Sequence, residues 1–587
     1  MITYADKPWL KRYDPGVPHS LKPYPDSALH DLLRDAARKT PDRALLIASA
    51  NLPVLGRVGK AVSYREIDET SDALAAALVK MGLQKGDRVV IVMPNSVQFL
   101  IAFFGILKAG GVVAATNPTY PAEKMQYQIN DCGAKIVITL SLFYDMVVGM
   151  QPNTGIEQII VTNIKEYLPG VASTLFTLAK EKKEGHRIDK RSQDHWLQDL
   201  LKQYKGQKPN VQVSGDDLCL FQYTGGTTGV SKAAMATHKA LVSNTLMCKA
   251  WMFGSEEPTE TVFLGAIPFF HSFGIVVVVA SAATMGGTIA LLPNPRDIGD
   301  VLDVIDTYKP QVFPGVPALY NAINNHPLVK NGKVDLSSIR ACISGSAPLP
   351  PATKAEFERL SGGKLVEGFG MSEAPVATHA NPLNGENRTG SIGLPMPDME
   401  MKIVSLEDPD EILPIGEVGE LAMHGPQLMT GYHNMPTETD NVLRKDKAGK
   451  VWLMTGDIAR MDEDGYFYIV DRKKDMALIG GFNVYPRVVE DVLMDHPAIL
   501  EAGVSTIPHP EKQGQEALKA WVVLHDDQTL TEQELIDFAS QKLAAYEVPR
   551  RIAFVDELPR STVGKILRRE LAAQEMETQP ATPETME

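Results

Sequence analysis

The chain has 587 residues, of which 44% are hydrophobic, and a formal net charge of −14. This length exceeds what a single hydrophobic core organises, so at least two domains are expected in an otherwise ordinary globular composition. The acidic balance argues against a general nucleic-acid-binding protein, whose binding surface would be basic. No nucleic-acid partner is therefore predicted.

The cysteines and the apolar runs indicate in which cellular compartment the protein is expected. Four cysteines, at positions 132, 219, 248 and 342, lack metal or disulfide spacing, which predicts reduced core thiols. The first residues do not form a signal-peptide pattern, and the longest apolar stretch, residues 274–284, is too short to span a bilayer. We therefore expect a cytoplasmic protein, with peripheral contact to the inner face of the membrane left open.

The N-terminal part alternates between helix and strand patterns. Residues 1–25 read as an irregular arm, after which helices are predicted from Ser27, over residues 64–81, and from a Ser96 cap to Lys108. Further along the chain, a Thr237 cap predicts a helix to Met252. Apolar runs predict buried strands at residues 88–93, 111–115, 135–139 and 158–162. This alternation favours a doubly wound α/β fold.

The pattern breaks between residues 164 and 211. Leu175, Leu178 and Ala179 form an apolar stripe, and Lys180, Lys182 and Lys183 follow it. An apolar face beside lysines suits an anionic membrane surface. A solvated helical insertion explains the same residues, and the two interpretations stay open.

The stretch Tyr223-Thr-Gly-Gly-Thr-Thr-Gly-Val-Ser-Lys232 directly follows a buried strand predicted at residues 218–221. Glycines let backbone amides approach an anion, hydroxyls add short donors, and Lys232 supplies a positive charge. The spacing differs from that of a Walker A loop. The residues nevertheless predict a polyphosphate-binding loop in preference to a flexible surface loop.

Three further motifs follow in order. They are Glu367-Gly-Phe-Gly-Met-Ser-Glu373, the run from Thr455 to Lys474, and Leu558-Pro-Arg-Ser-Thr-Val-Gly-Lys-Ile-Leu-Arg568. Together with the glycine-rich loop, they resemble the motifs of the acyl- and aryl-adenylate-forming enzymes, which include acyl-CoA synthetases, luciferases and peptide-synthetase adenylation domains. The run from Thr455 resembles a signature of fatty acyl-CoA synthetases in particular.

The resemblance implies a domain organisation. A large domain of doubly wound sheets with a small β subdomain would span residues 1–471, with the insertion at about 164–211, and a small mobile α+β domain would span residues 472–573. Fatty-acid-activating relatives carry a comparable insertion, which favours the membrane interpretation slightly. Residues 574–587 contain four glutamates and no basic residue, so a disordered tail is predicted.

The resemblance also implies a nucleotide site. Phe369 would stack on the purine, Asp457 would accept the ribose hydroxyls with Arg472 as a second clamp, and Glu373 would hold Mg²⁺, with Thr228 acting on it indirectly. Many relatives have threonine at Ser372, and serine keeps the hydroxyl. The full set implied for ATP and AMP is Thr224, Gly225, Gly226, Thr227, Thr228, Gly229, Lys232, Gly345, Ser346, Ala347, Glu367, Gly368, Phe369, Gly370, Met371, Ser372, Asp457, Ile469, Arg472 and Lys565.

The acid and thiol sites follow from the same resemblance. His271 is either a hydrogen-bonded core histidine or, as the resemblance implies, a residue near the substrate carboxylate. Residues 269–273 contain no carboxylate, which argues against an amino-acid substrate. Residues implied for the acyl chain are Phe270, His271, Phe273, Gly315 and Val316. Those implied for CoA are Lys473, Gly480, Gly481 and Phe482, with Lys474 as the hinge and Lys565 as the catalytic lysine.

The sequence thus predicts a long-chain fatty acid:CoA ligase that forms AMP, using fatty acid, ATP and CoA as substrates and Mg²⁺ as cofactor. Three alternatives stay open: a fatty acyl-AMP ligase that serves a carrier protein, a ligase for medium-chain or aryl acids, and a non-catalytic nucleotide-binding or membrane-scaffold protein. A homodimer is one option for the oligomeric state.

Overall fold

The computed structural model describes residues 2–52, 55–224, 231–256, 260–479, 482–509, 516–525, 528–560, 566–568 and 570–573. The chain divides into two compact units. The larger contains residues 9–400 and 424–453, and the smaller contains residues 1–8, 401–423 and 454–587. The predicted boundary between residues 471 and 472 falls inside the smaller unit and stays a prediction.

The first sheet of the larger unit has nine strands within the described residues. Its central strands are parallel, and antiparallel strands complete both edges. In spatial order the strands are Leu394–Pro395, Ala374–Ala380, Lys364–Met371, Ala341–Ser344, Val312–Gly315, Val262–Gly265, Thr288–Leu291, Ala44–Leu52 and Gly56–Ser63.

The second sheet has eight strands in the described part of the chain. The four predicted N-terminal strands form its parallel centre, which confirms the alternation seen in the sequence. In spatial order the strands are Gly431–Tyr432, Lys232–Thr237, Leu218–Thr224, Val112–Thr116, Arg88–Val92, Ile136–Leu140, Gln158–Thr162 and His195–Trp196.

The α-helices of the larger unit carry the caps that the sequence predicts. Ser96 Oγ accepts the Phe99 N–H at 3.1 Å, and Thr237 Oγ1 accepts the Ala240 N–H at 3.2 Å. The first helix begins at Leu29, two residues beyond the predicted Ser27 start, because Ala28 has extended backbone angles. The helices are Leu29–Lys39, Tyr64–Lys80, Val97–Lys108, Ala122–Cys132, Tyr144–Met150, Gly170–Leu175, Leu197–Gln203, His238–Phe253, Ser281–Met285, Ile298–Tyr308, Pro317–Asn325, Pro327–Lys330, Pro351–Ser361 and Pro436–Val442.

Two segments form π-helices, Phe176–Lys180 in the insertion and Gly274–Ala280 in the apolar run. The insertion is anchored at its base, because Lys165 Nζ pairs with Glu181 at 2.6 Å and Ser141 Oγ contacts His186 Nδ1 at 2.9 Å. The predicted stripe is exposed: Leu175 and Leu178 keep 45% and 80% of their surface, and Ala179 is exposed as well. Val171, four residues before Leu175, keeps 57%.

In the smaller unit, residues 457–461 of strand Val451–Met461 pair antiparallel with Phe467–Arg472, in a sheet with strands Glu400–Val404 and Gly419–His424, which lie mainly in this unit. In the larger unit, Leu443–Lys445 pairs with residues 451–453, the beginning of strand Val451–Met461. The C-terminal part has a hairpin, Ala477–Ile479 with Phe482–Val484, and a sheet of Ile499–Pro508, Glu516–Leu524 and Arg551–Phe554. Helices Pro486–Met494 and Glu532–Ser540 accompany that sheet.

The core of each unit is apolar and closely packed. In the larger unit the rings of Phe313, Tyr320 and Phe357 contact one another at centroid distances of 4.9 to 6.0 Å. All four cysteines are buried and free, as predicted. No helix among the described residues is long and apolar enough to cross a membrane.

Candidate active site

The predicted phosphate loop joins the two strands of a β-hairpin. Strands Leu218–Thr224 and Lys232–Thr237 pair antiparallel, with Thr224 opposite Lys232. Ser231 Oγ donates to the Thr224 carbonyl oxygen at 2.7 Å and closes the base of the turn. Gly225, Gly226, Thr227, Thr228 and Gly229 lie outside the described residues. The sequence predicted the strand before the loop but did not identify the returning strand.

Helix Ala122–Cys132 holds both ends of this hairpin turn. Tyr223 OH donates to Asp131 Oδ2 at 2.7 Å and to the Gln128 carbonyl oxygen at 3.0 Å. Tyr127 OH donates to the Ser231 carbonyl oxygen at 3.2 Å. Tyr127, Gln128 and Asp131 were not identified from the sequence, because these helix residues belong to no motif and lie about a hundred positions before the loop in the chain.

Lys232 has a defined acidic partner. Its Nζ forms an ion pair with the Glu438 carboxylate and lies 5.3 Å from the centroid of the Tyr432 ring. The position expected to neutralise phosphate is therefore balanced by a glutamate in helix Pro436–Val442. Neither Glu438 nor Tyr432 was singled out from the sequence.

The residues predicted for the purine lie on strand Lys364–Met371 and after strand Ala341–Ser344, which are adjacent in the first sheet. Phe369 is half-buried, and its ring meets His379 edge to face at 5.8 Å. A Cβ on Gly370 would lie 1.4 Å from the Val376 carbonyl oxygen, so only glycine fits there. Ser346 has a φ of +72°, which turns the backbone sharply. The structure thus places residues 345–347 next to residues 367–371, and their assignment to the nucleotide stays a prediction.

Glu373 is half-buried and has a hydrogen-bond partner. Its Oε1 accepts from Tyr432 OH at 2.7 Å, and its backbone oxygen accepts the Met429 N–H at 2.9 Å. Within the described part of the chain, no group of three or more His, Cys, Asp or Glu side chains could hold a metal by itself. A single carboxylate such as Glu373 is a hard oxygen ligand of the kind that Mg²⁺ takes when substrate phosphates supply other ligands.

Part of the predicted acyl site lies at the end of strand Val312–Gly315. The Phe273 ring lies 3.4 Å from where a Cβ on Gly345 would stand, and the Gly345 N–H donates to the Gly315 carbonyl oxygen at 3.2 Å. Phe273 is buried, whereas Phe270 and Val316 are partly exposed. Residues predicted for the acyl chain therefore lie directly beside residues predicted for the nucleotide.

His271 is neutral at physiological pH. Its Nδ1 accepts the Phe273 N–H at 3.2 Å, which places the proton of the neutral ring on Nε2. Burial lowers the pKa of His271 to about 4. The neutral side chain can therefore donate a hydrogen bond from Nε2 to a carboxylate.

The two predicted ribose residues face each other in the smaller unit. Asp457 is opposite Arg472 in the antiparallel register, and Asp457 Oδ1 lies 2.9 Å from Arg472 Nε. Asp457 Oδ2 is buried, and no described residue donates a hydrogen bond to it. Ile469, opposite Ala459, lies on the same strand as Arg472. A buried carboxylate oxygen without a partner is costly and indicates a site for an external donor.

The predicted hinge lies in the turn at residues 473–475. Lys473, directly before the predicted hinge residue Lys474, pairs through Nζ with Glu420 Oε2 at 2.8 Å. Glu420 Oε1 accepts the Gly456 N–H at 3.0 Å. Lys473, predicted for CoA, is therefore engaged within the small sheet. After it, the exposed ring of Phe482 stacks on Tyr546 at 4.4 Å. Gly480, Gly481 and Lys565 lie outside the described residues.

A buried charge cluster surrounds this turn. Asp471 accepts the Arg487 N–H at 2.8 Å and lies 3.6 Å from Arg568, which also pairs with Asp475 at 3.1 Å and Glu490 at 2.5 Å. Burial raises the pKa of both Asp471 and Glu490. The cluster joins residues before the turn to residues after it, and sequence reasoning did not identify it.

Comparison with known proteins agrees with this arrangement. The profile of the AMP-binding enzyme family matches residues 33–433, and that of the AMP-binding enzyme C-terminal domain matches residues 488–565. A long-chain-fatty-acid–CoA ligase of Bacillus subtilis (strain 168) is 41% identical over 98% of this chain and 99% of its own length. A long-chain-fatty-acid–CoA ligase of Escherichia coli O6:H1 is 36% identical over 96% of this chain and 98% of its own length.

The solved structures point the same way. ATP-bound MatB from Rhodopseudomonas palustris superposes with a TM-score of 0.78 at 28% identity, covering 93% of this chain and 99% of its own. The predicted fold class, with large sheets and a smaller C-terminal domain, is thereby confirmed. The two profiles together match most of the chain, and the glycine-rich hairpin and the segments predicted for the purine and the acyl chain agree with them. The chain therefore belongs to the AMP-binding enzyme family.

Proposed function

We propose that this chain is a long-chain fatty acid:CoA ligase that forms AMP. The similarity to the two long-chain-fatty-acid–CoA ligases extends over nearly the whole chain and supports the choice of acid and thiol. The observation that carries the nucleotide part is the buried Asp457 oxygen that lacks a donor, next to the Arg472 ion pair. Ribose hydroxyls supply such donors.

In the first step, an oxygen of the fatty carboxylate attacks the α-phosphorus of ATP, the bond to the β-phosphate oxygen breaks, and pyrophosphate leaves. No covalent enzyme nucleophile is required, so the protein contributes positioning and charge neutralisation. The hairpin turn from Thr224 to Lys232 would bind the β- and γ-phosphates. Neutral His271 would donate to the carboxylate, and Lys565 would bridge carboxylate and α-phosphate. Bound Mg²⁺, held by Glu373, would offset phosphate charge.

In the second step, the CoA thiolate attacks the acyl carbon of acyl-AMP, and AMP leaves. The C-terminal domain would rotate about Lys474, withdraw Lys565 and bring the Gly480-Gly481 loop and Phe482 to the pantetheine. The contacts from Asp471 to Arg487 and Arg568 support a pivot here, because they join the two sides of the turn at residues 473–475. Rotation would have to exchange them.

Asp457→Asn tests the nucleotide assignment. The amide keeps the shape but loses the charge that balances Arg472, so we expect ATP binding, measured by calorimetry, to weaken by about tenfold or more, as for a hydrogen bond to a charged group. Asp410→Asn, at an exposed site of the same unit, is the control. Equal ATP affinity in the two variants would refute the role of Asp457.

A panel of acids from C4 to C18, with benzoate, tests the substrate class. Each methylene buried in an apolar pocket contributes ~0.8 kcal/mol, so a deep pocket should make kcat/KM rise steeply with chain length. We expect acids of about twelve carbons or more to be preferred. A flat profile, or a maximum at C4 or benzoate, would contradict a long-chain pocket. Adenylate formation without CoA-dependent thioester would favour the acyl-AMP ligase alternative.

We further propose that the insertion contacts membranes. Val171, Leu175 and Leu178 are exposed beside lysines, which suits anionic lipid. Replacing these three residues with serine should weaken binding to anionic liposomes and leave adenylation of a soluble medium-chain acid unchanged. The control replaces Leu55, Ile412 and Val418, which are also exposed. If both triple variants change liposome binding equally, the insertion is better explained as a solvated helical segment.

A further inference from the structure

Tyr432 lies between the two elements of the larger unit that are expected to meet phosphate and metal. Its strand pairs antiparallel with the strand that returns from the hairpin turn, with Tyr432 opposite Ala234. The His433 N–H donates to the Ala233 carbonyl oxygen at 2.9 Å, and the Met429 N–H donates to the Glu373 carbonyl oxygen at 2.9 Å. Segment 429–433 is therefore bound to the phosphate-loop hairpin on one side and to Glu373 on the other.

The Tyr432 side chain also links the phosphate-loop hairpin to Glu373. It is 7% exposed, its OH donates to Glu373 Oε1 at 2.7 Å, and Lys232 Nζ lies 5.3 Å from its ring centroid. The Tyr432 N–H donates to Thr439 Oγ1 at 2.9 Å, which fixes the backbone beneath the ring. One aromatic side chain thus contacts both the hairpin lysine and the carboxylate assigned to Mg²⁺.

The hydrogen bond restricts what Glu373 can do. A carboxylate on a flexible side chain can rotate, and a donor on one oxygen fixes the plane and direction of the other. Outer partners of metal-ligating groups typically contribute 10–100-fold to metal affinity or activity. The following helix, Pro436–Val442, also holds the Lys232 ammonium at the base of the loop, through the ion pair with Glu438.

We propose that Tyr432 is a positioning residue, which holds Glu373 Oε1 so that Oε2 is directed to the metal of the bound nucleotide. The proposal rests on the proposed function, since it requires Glu373 to meet a Mg²⁺–nucleotide complex. Tyr432 would act through Glu373 and would not itself contact substrate.

The test is Tyr432→Phe, which removes only the hydroxyl. The readout is ATP binding by calorimetry as a function of Mg²⁺ concentration, with no acid or CoA present, so turnover does not enter. We expect the Mg²⁺ concentration for half-maximal ATP binding to rise about tenfold or more. Tyr64→Phe is the matched control, because it removes a fully buried hydroxyl that donates to Ala282 and Gly287 in the same unit, away from Glu373.

Glu373→Gln and the double variant separate this inference from the proposed function. If Tyr432 acts through Glu373, adding Tyr432→Phe to Glu373→Gln should cause little further loss. Additive losses, or a Mg²⁺ requirement that changes as much in Tyr64→Phe as in Tyr432→Phe, would overturn the positioning role. A Mg²⁺ requirement that is unchanged in Tyr432→Phe and raised in Glu373→Gln would overturn the inference alone. An unchanged requirement in Glu373→Gln would overturn the metal assignment itself.

Discussion

The hairpin base in the larger unit and the hinge turn in the smaller unit are built on different principles. At the hairpin base, strands Leu218–Thr224 and Lys232–Thr237 are held by backbone hydrogen bonds, and Lys232 has one acidic partner. At the hinge turn, charged side chains predominate, with Asp471 and Glu490 buried beside Arg568. The first arrangement suits a fixed site for a polyanion, and the second suits a joint whose contacts can exchange.

This difference has an energetic consequence. Removing one partner from a buried ion pair costs about 3–5 kcal/mol, because the other charge stays buried without compensation. Rotation about Lys474 would have to re-pair or hydrate Arg568 and Asp471, whereas nothing comparable is required of the strand pairing at the hairpin. In the proposed rotation, such a cluster would favour discrete orientations over a continuous range.

The largest effect is expected at Lys565, which lies outside the described residues and is assigned by its motif. Lys565→Ala should slow adenylation by ~10²–10³-fold or more, because a charged contact made mainly in the transition state is lost. Thioester formation from supplied acyl-AMP should survive. The measurement is pyrophosphate release against acyl-CoA formation, with Lys542→Ala, which removes a surface partner of Asp495, as control. Equal losses in both half-reactions would contradict separate catalytic orientations.

Lys474→Pro should do the opposite. Proline fixes φ and would hinder rotation at the turn, so pyrophosphate release should continue while CoA transfer collapses. Lys447→Pro, in an exposed turn of the larger unit, is the control for proline itself. Normal thioester formation in Lys474→Pro would reduce this residue to a linker.

A smaller effect is expected from Asp471→Asn. The amide can still accept a hydrogen bond, but the charge facing Arg568 is lost, so the present orientation should be less favoured. We expect the two half-reactions to change in opposite directions, by about fivefold or more in their ratio, as for a typical coupling free energy. Changes of the same sign and size in both half-reactions would mean that Asp471 only stabilises the fold.

The smallest effect concerns pH, and it separates the two units. Burial lowers the pKa of His238 to about 4 and that of His379 to about 3. The unfolded chain therefore binds protons first as pH falls below ~6.5, and the larger unit should lose stability between about pH 6.5 and 4. In the smaller unit, the raised pKa values of Asp471 and Glu490 act in the opposite direction over the acidic range.

Hydrogen exchange at pH 7 and pH 5, corrected for intrinsic rates, measures this contrast. Protection should fall more in the larger unit. His238→Asn should flatten that response, since the amide oxygen can still accept the Leu29 N–H that His238 Nδ1 accepts at 3.0 Å. A uniform loss of protection across both units would be inconsistent with the assigned titrations.

The sequence predicted the capped helices and the central strands because those signals are local. Ser96 and Thr237 cap helices as expected, and the predicted N-terminal strands form the centre of the second sheet. Tyr432 and Glu438 could not be predicted, since their contacts with Glu373 and Lys232 join residues 59 and 206 positions apart. The charge cluster was missed for the same reason, because Arg568 and Glu490 are 78 positions apart. Such pairings depend on tertiary structure and leave no pattern along the chain.

The central claim is tested most directly by following all products of one reaction with oleate, ATP, Mg²⁺ and CoA. The account predicts that AMP, pyrophosphate and oleoyl-CoA form in equal amounts, and that omission of CoA allows pyrophosphate release without thioester. Formation of ADP and phosphate, or AMP release that never leads to oleoyl-CoA, would contradict it.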